Sequence, residues 1–286
     1  MELLDLGPST HDSRLTRKHT FFQRANANLQ KFYQPLQFYR MSDLEIKKTF
    51  GLFDNPLNKK LISQLQSSAD EVLVFPPIHA EKVDLTETSV NYLKNLSGFD
   101  WVIFTDVFAA DFFIESLGGL GIDFFELDNL TVCAFGEAVA DRLRFAQLHA
   151  DVIPSKLNDE AIFSAISNYA GAELKNQRIL IVREETSEIL LSENLKSASA
   201  LVEDLPIYKA GFADEPANTK LKTMLTGGAV DEFVFSSPED LVSLKFLSSA
   251  ADLVSVLNET RVSAVSEIVF QTLQENGFRP LYFHPK

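Results

Sequence analysis

Cysteine is nearly absent from this chain of 286 residues, which contains only Cys133. An intrachain disulfide and a multi-cysteine metal site are therefore excluded. No apolar run approaches the roughly 20 residues that a membrane-spanning helix needs, and the first residues lack the apolar stretch of a secretory signal. These absences predict a cytoplasmic protein that has no metal centre and does not enter a membrane.

Basic residues are also scarce, with 26 lysines and arginines against 40 aspartates and glutamates and a net charge of −14. Such a charge opposes the attraction of nucleic acids and anionic lipids, because those partners require clustered Lys and Arg. We therefore expect no nucleic-acid partner and no membrane partner. A monomer that acts on a small molecule is the expectation.

Several sequence motifs of well-known enzyme classes are missing. The chain has no G-x-G-x-x-G after a strand, no G-x-x-x-x-G-K-[ST] and no H-E-x-x-H. It also lacks the G-x-S-x-G elbow of α/β-hydrolases. These absences exclude the usual dinucleotide, P-loop nucleotide, zinc-protease and serine-hydrolase sites.

The N-terminal segment departs from the acidic trend. Residues 11–40 contain six basic residues and one acid, Asp12, with aromatic residues between them. A nucleic-acid arm, an organelle-targeting leader and an extension outside the folded body all fit this composition. We expect residues 1–42 to be a poorly ordered extension, and Met41 is a second candidate start.

A repeat with an offset of about 130 residues is the main positive feature of the sequence. Thr49–Phe53 and residues 179–183 are both short apolar strand candidates, and residues 100–105 match residues 231–236. Further matches in the same order join residues 75–76 to 205–206 and residues 132–139 to 262–269. Matches that keep nearly one offset and one order indicate a duplicated half.

Each copy alternates short apolar runs with helical patterns. Glu71–Phe75 and Trp101–Phe104 are too short for helices and predict buried strands. Apolar spacing predicts helices over residues 56–65, 108–117, 138–148, 160–169, 238–247 and 268–276. This alternation is typical of parallel sheets that are covered by helices on both faces. The predicted fold class is α/β, with two similar doubly wound parallel-sheet lobes.

Three segments resemble the uroporphyrinogen-III synthase family. Residues 98–105 are similar to the family pattern yDwviFTS, and residues 132–140 with 151–155 are similar to vGekTAeaL followed by advvPs. Residues 178–183, leading to 205–208, are similar to rvLliRge followed by a strand that ends in vY. The resemblance extends from about residue 47 to the C-terminus.

This resemblance implies a chain that begins in one lobe, crosses to build the second and then returns. The two crossings, residues 78–83 and 207–212, would pair as a two-stranded β-ladder hinge. One lobe would contain residues 43–77 and 213–286, and the other residues 84–206. The implied activity, without a cofactor, is cyclisation of hydroxymethylbilane, a linear tetrapyrrole with eight carboxylates. The product would be uroporphyrinogen III, formed with loss of water and inversion of the terminal pyrrole ring.

Candidate substrate-binding residues lie where predicted strands end and helices begin. Open parallel sheets bind ligands beyond the carboxyl ends of their strands, where helix N-termini present unpaired N–H groups. Four such corners, at equivalent points of the two copies, are expected to face one another across a cleft. They contain Thr105, Asp106, Gly136, Glu137, Ala138, Ser236, Ser237 and Ser266. Helix capping is the alternative for all of them, and for Asp106 and Glu137 it is preferred.

Tyr208 is the candidate catalytic residue, because it matches the family's tyrosine and lies beside the second crossing, at the expected mouth of the cleft. A phenol stays protonated at neutral pH, so Tyr208 would donate a proton to the departing hydroxyl or orient it. A tyrosine packed at a sheet edge is the alternative. Arg183 would bind a substrate carboxylate through its planar fork, or pair with neighbouring glutamates instead.

Three positions depart from the family pattern. Asp106 stands where the family has a small hydroxyl residue, and Val139 and Val269 stand where it has threonine. Valine has the shape of threonine but forms no side-chain hydrogen bond, so two expected ligand contacts would be lost. These departures suit an alternative function, a catalytically silent ligand-binding or regulatory module of the same fold.

Overall fold

The computed structural model describes residues 47–284, apart from residues 69, 172, 188–189, 213–214, 248–256 and 258–259. The expectations for residues 1–42 therefore lie outside the described residues. The strands are β1 (Thr49–Phe53), β2 (Glu71–Phe75), β3 (His79–Lys82), β4 (Trp101–Phe104), β5 (Thr131–Ala134), β6 (Arg178–Glu184), β7 (Leu201–Gly211), β8 (Glu232–Phe235), β9 (Arg261–Ala264) and β10 (Leu281–Tyr282). The α-helices are α1 (Asn58–Ser67), α2 (Glu87–Lys94), α3 (Val107–Leu120), α4 (Glu137–Phe145), α5 (Asp159–Tyr169), α6 (Leu190–Ser197), α7 (Glu215–Thr226), α8 (Pro238–Leu247) and α9 (Glu267–Glu275).

The strands form two five-stranded sheets. Sheet A has the order β2-β1-β8-β9-β10 and sheet B the order β3-β7-β6-β4-β5. All pairs in sheet A are parallel. In sheet B only β3 runs antiparallel, against β7. The predicted α/β fold with two parallel-sheet lobes is confirmed.

Each sheet takes strands from both copies of the repeat. Sheet A joins β1 and β2 of the first copy to β8 and β9 of the second, whereas sheet B joins β4 and β5 to β6 and β7. Equivalent strands then follow the same order in both sheets. The outer edge of each sheet is repeated as well. Val152 forms a single parallel bridge to Cys133 of β5, at the place that corresponds to the pairing of β10 with β9 in sheet A. The two halves have therefore exchanged strands.

The predicted β-ladder is present between the sheets. His79–Lys82 pairs antiparallel with residues 208–211, and the Val83 N–H donates to the Ile207 carbonyl at 3.1 Å. Leu201–Gly211 is one strand, so the ladder continues sheet B. The lobe boundaries at residues 43–77 with 213–286, and 84–206, stay a prediction.

Both faces of the central strands are buried, which explains their apolar character. In β4, Val102 and Phe104 pack against one cluster, while Trp101 and Ile103 pack against another on the opposite face. Helices α2, α3 and α4 cover the first face, and α5 and α6 cover the second. Several helix boundaries differ from prediction: the helix expected over residues 56–65 is Asn58–Ser67, and the one expected over residues 108–117 is Val107–Leu120. The helix expected over residues 138–148 ends at Phe145, since Gln147 takes a positive φ of 62°.

Candidate functional site

The two lobes contact each other through four helices, α3 and α4 beside sheet B and α8 and α9 beside sheet A. Helices α3 and α8 are equivalent in the repeat, as are α4 and α9. Glu137 at the start of α4 contacts Glu275 at the end of α9, and Asp106 before α3 lies near Lys245 in the last turn of α8. Each equivalent pair is thus antiparallel, as expected for elements related by a two-fold axis. The corners before α3 and α4 therefore lie beside the C-termini of helices in the opposite lobe. The sequence predicts instead that they face the equivalent corners of that lobe.

The first corner is organised by Asp106. Its Oδ1 accepts a hydrogen bond from the Ala109 N–H at 2.9 Å and caps α3, while the Thr105 hydroxyl donates to Oδ2 at 2.9 Å. The side chain is half-buried. Burial raises the pKa of the Asp106 carboxyl, and these hydrogen bonds oppose that shift. Asp106 therefore caps the helix and also places an acid between the lobes.

Tyr208 is fully buried beside this acid. Its ring stacks on Phe112, with centroids 5.6 Å apart, and lies 5.8 Å from the Phe108 ring. Its hydroxyl makes no hydrogen bond of normal geometry with any residue that the structure describes, although it lies close enough to Asp106 for the two groups to interact. Burial raises the pKa of Tyr208, and the nearby charge of Asp106 raises it further. The residue expected at the mouth of the cleft is thus covered by two phenylalanines, and its hydroxyl interacts with Asp106.

Lys245 approaches Asp106 from the opposite lobe. The surrounding protein lowers the pKa of its ammonium, and the charge of Asp106 opposes that shift. The side chain keeps access to solvent, so the shift reflects confinement between the lobes rather than complete burial. A cation and an acid therefore lie on opposite sides of the contact.

The second corner is occupied by a carboxylate from the other lobe. Glu275 Oε1 accepts a hydrogen bond from the Glu137 N–H at 3.2 Å, and a Cβ added to Gly136 would collide with this carboxylate. Within the described part of the chain Glu275 Oε2 is buried without a partner. Burial raises the pKa of Glu275. Ala138 lies in the core. Glu275 thus occupies a position that suits a ligand carboxylate.

The third corner is filled by Asp240. Its Oδ2 accepts from the Ser236 and Ser237 N–H groups at 2.8 and 3.1 Å and from the Ser236 hydroxyl at 3.0 Å. Its Oδ1 accepts from the Asn55 amide at 2.8 Å. Burial raises the pKa of Asp240, and these hydrogen bonds oppose the shift. The donors expected to bind substrate here already have a partner.

The fourth corner differs, because Ser266 precedes α9 without a side-chain capping bond. Asp106, Glu275 and Asp240 therefore lie on three of the four predicted anion sites. All three carboxylates belong to the protein itself. This arrangement fits an acidic chain, since each helix N-terminus attracts negative charge.

Arg142 links three of the four contacting helices. It lies in α4, bonds Glu239 at the start of α8 and lies 3.5 Å from Asp111 of α3. Arg183 is bound locally instead. Its Nε donates to Asp204 at 3.0 Å, and one terminal nitrogen donates to the carbonyls of residues 184, 185 and 187. Neither guanidinium is without a partner in this arrangement.

Val139 and Val269, the two departures from threonine, are each 2 % exposed. Val139 packs in the core beside sheet B and Val269 in the core beside sheet A. Valine suits both positions because each side chain is buried in an apolar core, where solvent does not reach it.

Two classes of site find no support in the residues described. No cluster of three or more histidine, cysteine or acidic side chains there could hold a metal ion. No helix in the same residues combines the length and apolar character of a membrane span.

The family described as uroporphyrinogen-III synthase HemD matches residues 59–286. The chain belongs to the uroporphyrinogen-III synthase family. It is 22 % identical over 198 residues to the porphyrin biosynthesis protein HemD of Ruminiclostridium josui, covering 68 % of this chain and 37 % of that protein. It thus spans little more than a third of that relative's length.

Two solved structures of uroporphyrinogen III synthase from Thermus thermophilus share the fold. The wild-type protein matches with a TM-score of 0.58 at 18 % identity, over 82 % of this chain and 91 % of that chain. A mutant form matches with a TM-score of 0.57 at 19 % identity over the same shares.

Four residues of this family member escaped sequence reasoning: Arg142, Glu184, Asp240 and Glu275. Glu184 is 3 % exposed and accepts hydrogen bonds from Thr186 and from the Ala210 N–H. The role of Asp240 can be predicted from the sequence, because an acid three residues after a helix N-cap can accept a hydrogen bond from the N–H of the cap residue. The contact of Glu275 cannot be predicted in this way, since it depends on how the lobes pack.

Proposed function

We propose that this protein cyclises hydroxymethylbilane to uroporphyrinogen III, with loss of water and inversion of the terminal pyrrole ring, in tetrapyrrole (haem) biosynthesis. The buried hydroxyl of Tyr208, which lies beside Asp106 without a well-formed hydrogen bond, is the observation that carries the proposal beyond family membership. An unsatisfied buried hydroxyl costs about 1–3 kcal/mol, so its retention calls for a role. Because Phe108 and Phe112 cover Tyr208, its hydroxyl would act on the substrate through the neighbouring Asp106 carboxyl.

The helix N-termini between the lobes support the choice of substrate class. Hydroxymethylbilane carries eight carboxylates, and helix N-termini bind anions. Glu275 and Asp240 occupy two such positions. Of these, Glu275 belongs to the opposite lobe, so separation of the lobes would free the α4 N-terminus for a substrate carboxylate. Thr105, Gly136, Ala138, Ser236, Ser237, Ser266 and Arg183 remain predicted substrate-binding residues, and monomeric state and cytoplasmic location remain predictions too.

The test uses the purified full chain with freshly prepared hydroxymethylbilane and separates the uroporphyrinogen isomers formed. Isomer III should form faster than the spontaneous isomer I. Formation of isomer I alone, at the uncatalysed rate, would refute the enzyme function. Tyr208→Phe should lower turnover while leaving the fold intact, since Phe fills the same buried space; full turnover in this variant would exclude a role for the hydroxyl.

A catalytically silent binding module is the second candidate. The buried Val139 and Val269 favour it, because neither can offer the hydrogen bond of the family's threonine. This candidate predicts that uroporphyrin, a stable compound with eight carboxylates, binds while hydroxymethylbilane is not converted. A fluorescence titration alongside the isomer assay separates the two functions.

A further inference from the structure

We propose that Asp106 is the acid that protonates the departing hydroxyl of the substrate and then the base that accepts the proton released on ring closure. This proposal rests on the cyclisation function proposed above. Sequence reasoning assigned Asp106 to capping or substrate binding. The structure adds that the carboxyl stands between the lobes, beside the buried hydroxyl of Tyr208.

The position of Asp106 suits proton transfer to a bound ligand. It is the second residue after β4, at the carboxyl end of a central strand where such sheets bind ligands. It is half-buried, so a ligand between the lobes can reach it, whereas Tyr208 is fully covered by Phe108 and Phe112. Oδ1 is used by the Ala109 N–H, and Oδ2 accepts from the Thr105 hydroxyl, while the Tyr208 hydroxyl also interacts with this carboxyl group. Oδ2 is therefore the oxygen that would carry the proton.

The surroundings of Asp106 favour its protonated form. Burial raises its pKa most and outweighs the hydrogen bonds from the Ala109 N–H and from the Thr105 and Tyr208 hydroxyls, which lower it. Asp111 lies near enough for the two acids to repel. Glu184 lies beyond Tyr208 and adds negative charge on that side. Lys245 on α8 acts in the opposite sense. Even with a raised pKa, a carboxylic acid is a stronger acid than a phenol whose pKa is raised as well, so Asp106 is better suited than Tyr208 to donate.

The proton balance closes over one turnover. Protonated Asp106 gives its proton to the hydroxymethyl oxygen, the C–O bond breaks with its electron pair on oxygen, and water leaves. The pyrrole nitrogen lone pair stabilises the resulting methylene cation. This cation bonds to the substituted carbon of the terminal ring, whose bond to its own methylene bridge then breaks and leaves a second methylene cation on the neighbouring ring. The second cation bonds to the terminal ring's unsubstituted carbon, and the hydrogen on that carbon leaves as a proton to the Asp106 carboxylate. Asp106 ends protonated, and the net change is loss of one water.

The decisive variant is Asp106→Asn. Asparagine caps helices as well as aspartate does, so the Ala109 contact and the fold should be retained. Asp106→Ser, which restores the small hydroxyl of the family, also caps the helix without supplying a carboxyl group. Asp123→Asn is the matched control, because Asp123 is an exposed capping aspartate that accepts from the Phe125 N–H at 3.1 Å.

The assay measures kcat for hydroxymethylbilane against pH, together with the isomer ratio and the melting temperature. In the wild type, kcat should fall as pH rises through the pKa of Asp106, because the acid must be protonated to act. Asp106→Asn and Asp106→Ser should lower kcat by about 10²-fold or more and yield more isomer I. They should also lose the fall of kcat at high pH, which is the basic limb of the pH profile. Asp123→Asn should keep both the wild-type kcat and the basic limb of the pH profile.

Two results would overturn the proposal while leaving the enzyme function intact. One is a kcat for Asp106→Asn within twofold of the wild type. The other is a slow variant whose residual rate keeps the wild-type basic limb, since the limb would then belong to another group. If Asp106→Asn melts early, Asp106→Ser decides by the same criteria. Wild-type protein that forms only isomer I removes the proposed function itself.

Discussion

Removal of the Asp240 carboxylate should destabilise the lobe that contains sheet A. Asp240 is 2 % exposed and accepts four hydrogen bonds, from two backbone N–H groups, a serine hydroxyl and the Asn55 amide. Asp240→Ala leaves the two N–H groups and one amide hydrogen without this partner. Each unsatisfied buried donor costs about 1–3 kcal/mol, while relief of the buried charge offsets part of the loss. We expect a loss of about 3–5 kcal/mol in the free energy of unfolding.

Asp240→Asn should be the milder change, at about 1–3 kcal/mol, because one amide oxygen can still accept from the Ser236 and Ser237 N–H groups. The loss in the free energy of unfolding caused by Asp240→Asn should also depend on pH. The pKa of Asp240 is raised in the folded protein, so the folded state binds the proton more tightly than the unfolded state. Wild-type stability therefore falls as pH rises from the ordinary aspartate range towards the raised pKa. The gap between wild type and Asp240→Asn should narrow along the same interval.

Urea unfolding followed by circular dichroism measures both quantities. Glu160→Ala is the control, because Glu160 is an exposed acid in the first turn of α5 and its removal should cost only about 0.3–1 kcal/mol. The fluorescence of Trp101, buried in sheet B, shows whether that lobe unfolds in the same transition. A change below about 1 kcal/mol for Asp240→Ala would refute the reasoning, since the four hydrogen bonds would then contribute nothing net.

Gly136→Ala should lower the melting temperature, because φ is 90° there and the new Cβ would collide with Glu275. Gly118→Ala should instead raise the free energy of unfolding by about 0.5–1 kcal/mol, because Gly118 lies in an exposed part of α3 with open space around it. Equal changes in stability for the two variants would contradict this reasoning. Glu275→Gln should lower KM for hydroxymethylbilane severalfold in steady-state kinetics, since the competing charge leaves the α4 N-terminus; an unchanged KM would argue against competition. Burial raises the pKa of Cys133 to about 12, so the native protein should react with a thiol reagent only as fast as it unfolds. Rapid reaction before unfolding would show that Cys133 is accessible.

The fold could be predicted where local sequence and burial agree. The bounds of β1, β2 and β4 match their predicted apolar runs, because a parallel strand covered on both faces must be apolar throughout. Helix α2 was not predicted, since it is short and largely polar. Its signal was the Thr86 side chain, which accepts from the Ser89 N–H and starts the helix.

The candidate site was predictable only in part. Asp106 as a cap follows from its place between a strand and a helix, and the structure contains that hydrogen bond. The contact of Glu275 with Glu137 joins residues 138 positions apart and exists only because α4 and α9 pack antiparallel. The covering of Tyr208 by Phe108 and Phe112 has the same origin in tertiary packing. Sequence patterns locate strand ends, but not which side chains the two lobes bring to them.

The exchange of strands between the copies sets an order on synthesis at the ribosome. Sheet B uses strands β3 to β7, so its last strand is available once residue 211 has emerged. In sheet A, β1 lies between β2 and β8, and β8 ends at residue 235. At about 5–20 residues per second, the β1–β2 pair therefore waits roughly 10–30 s with one edge uncovered. Sheet B should fold first and provide a surface while the early strands await their partner, which makes the β1 edge the segment most exposed to misassembly in the nascent chain.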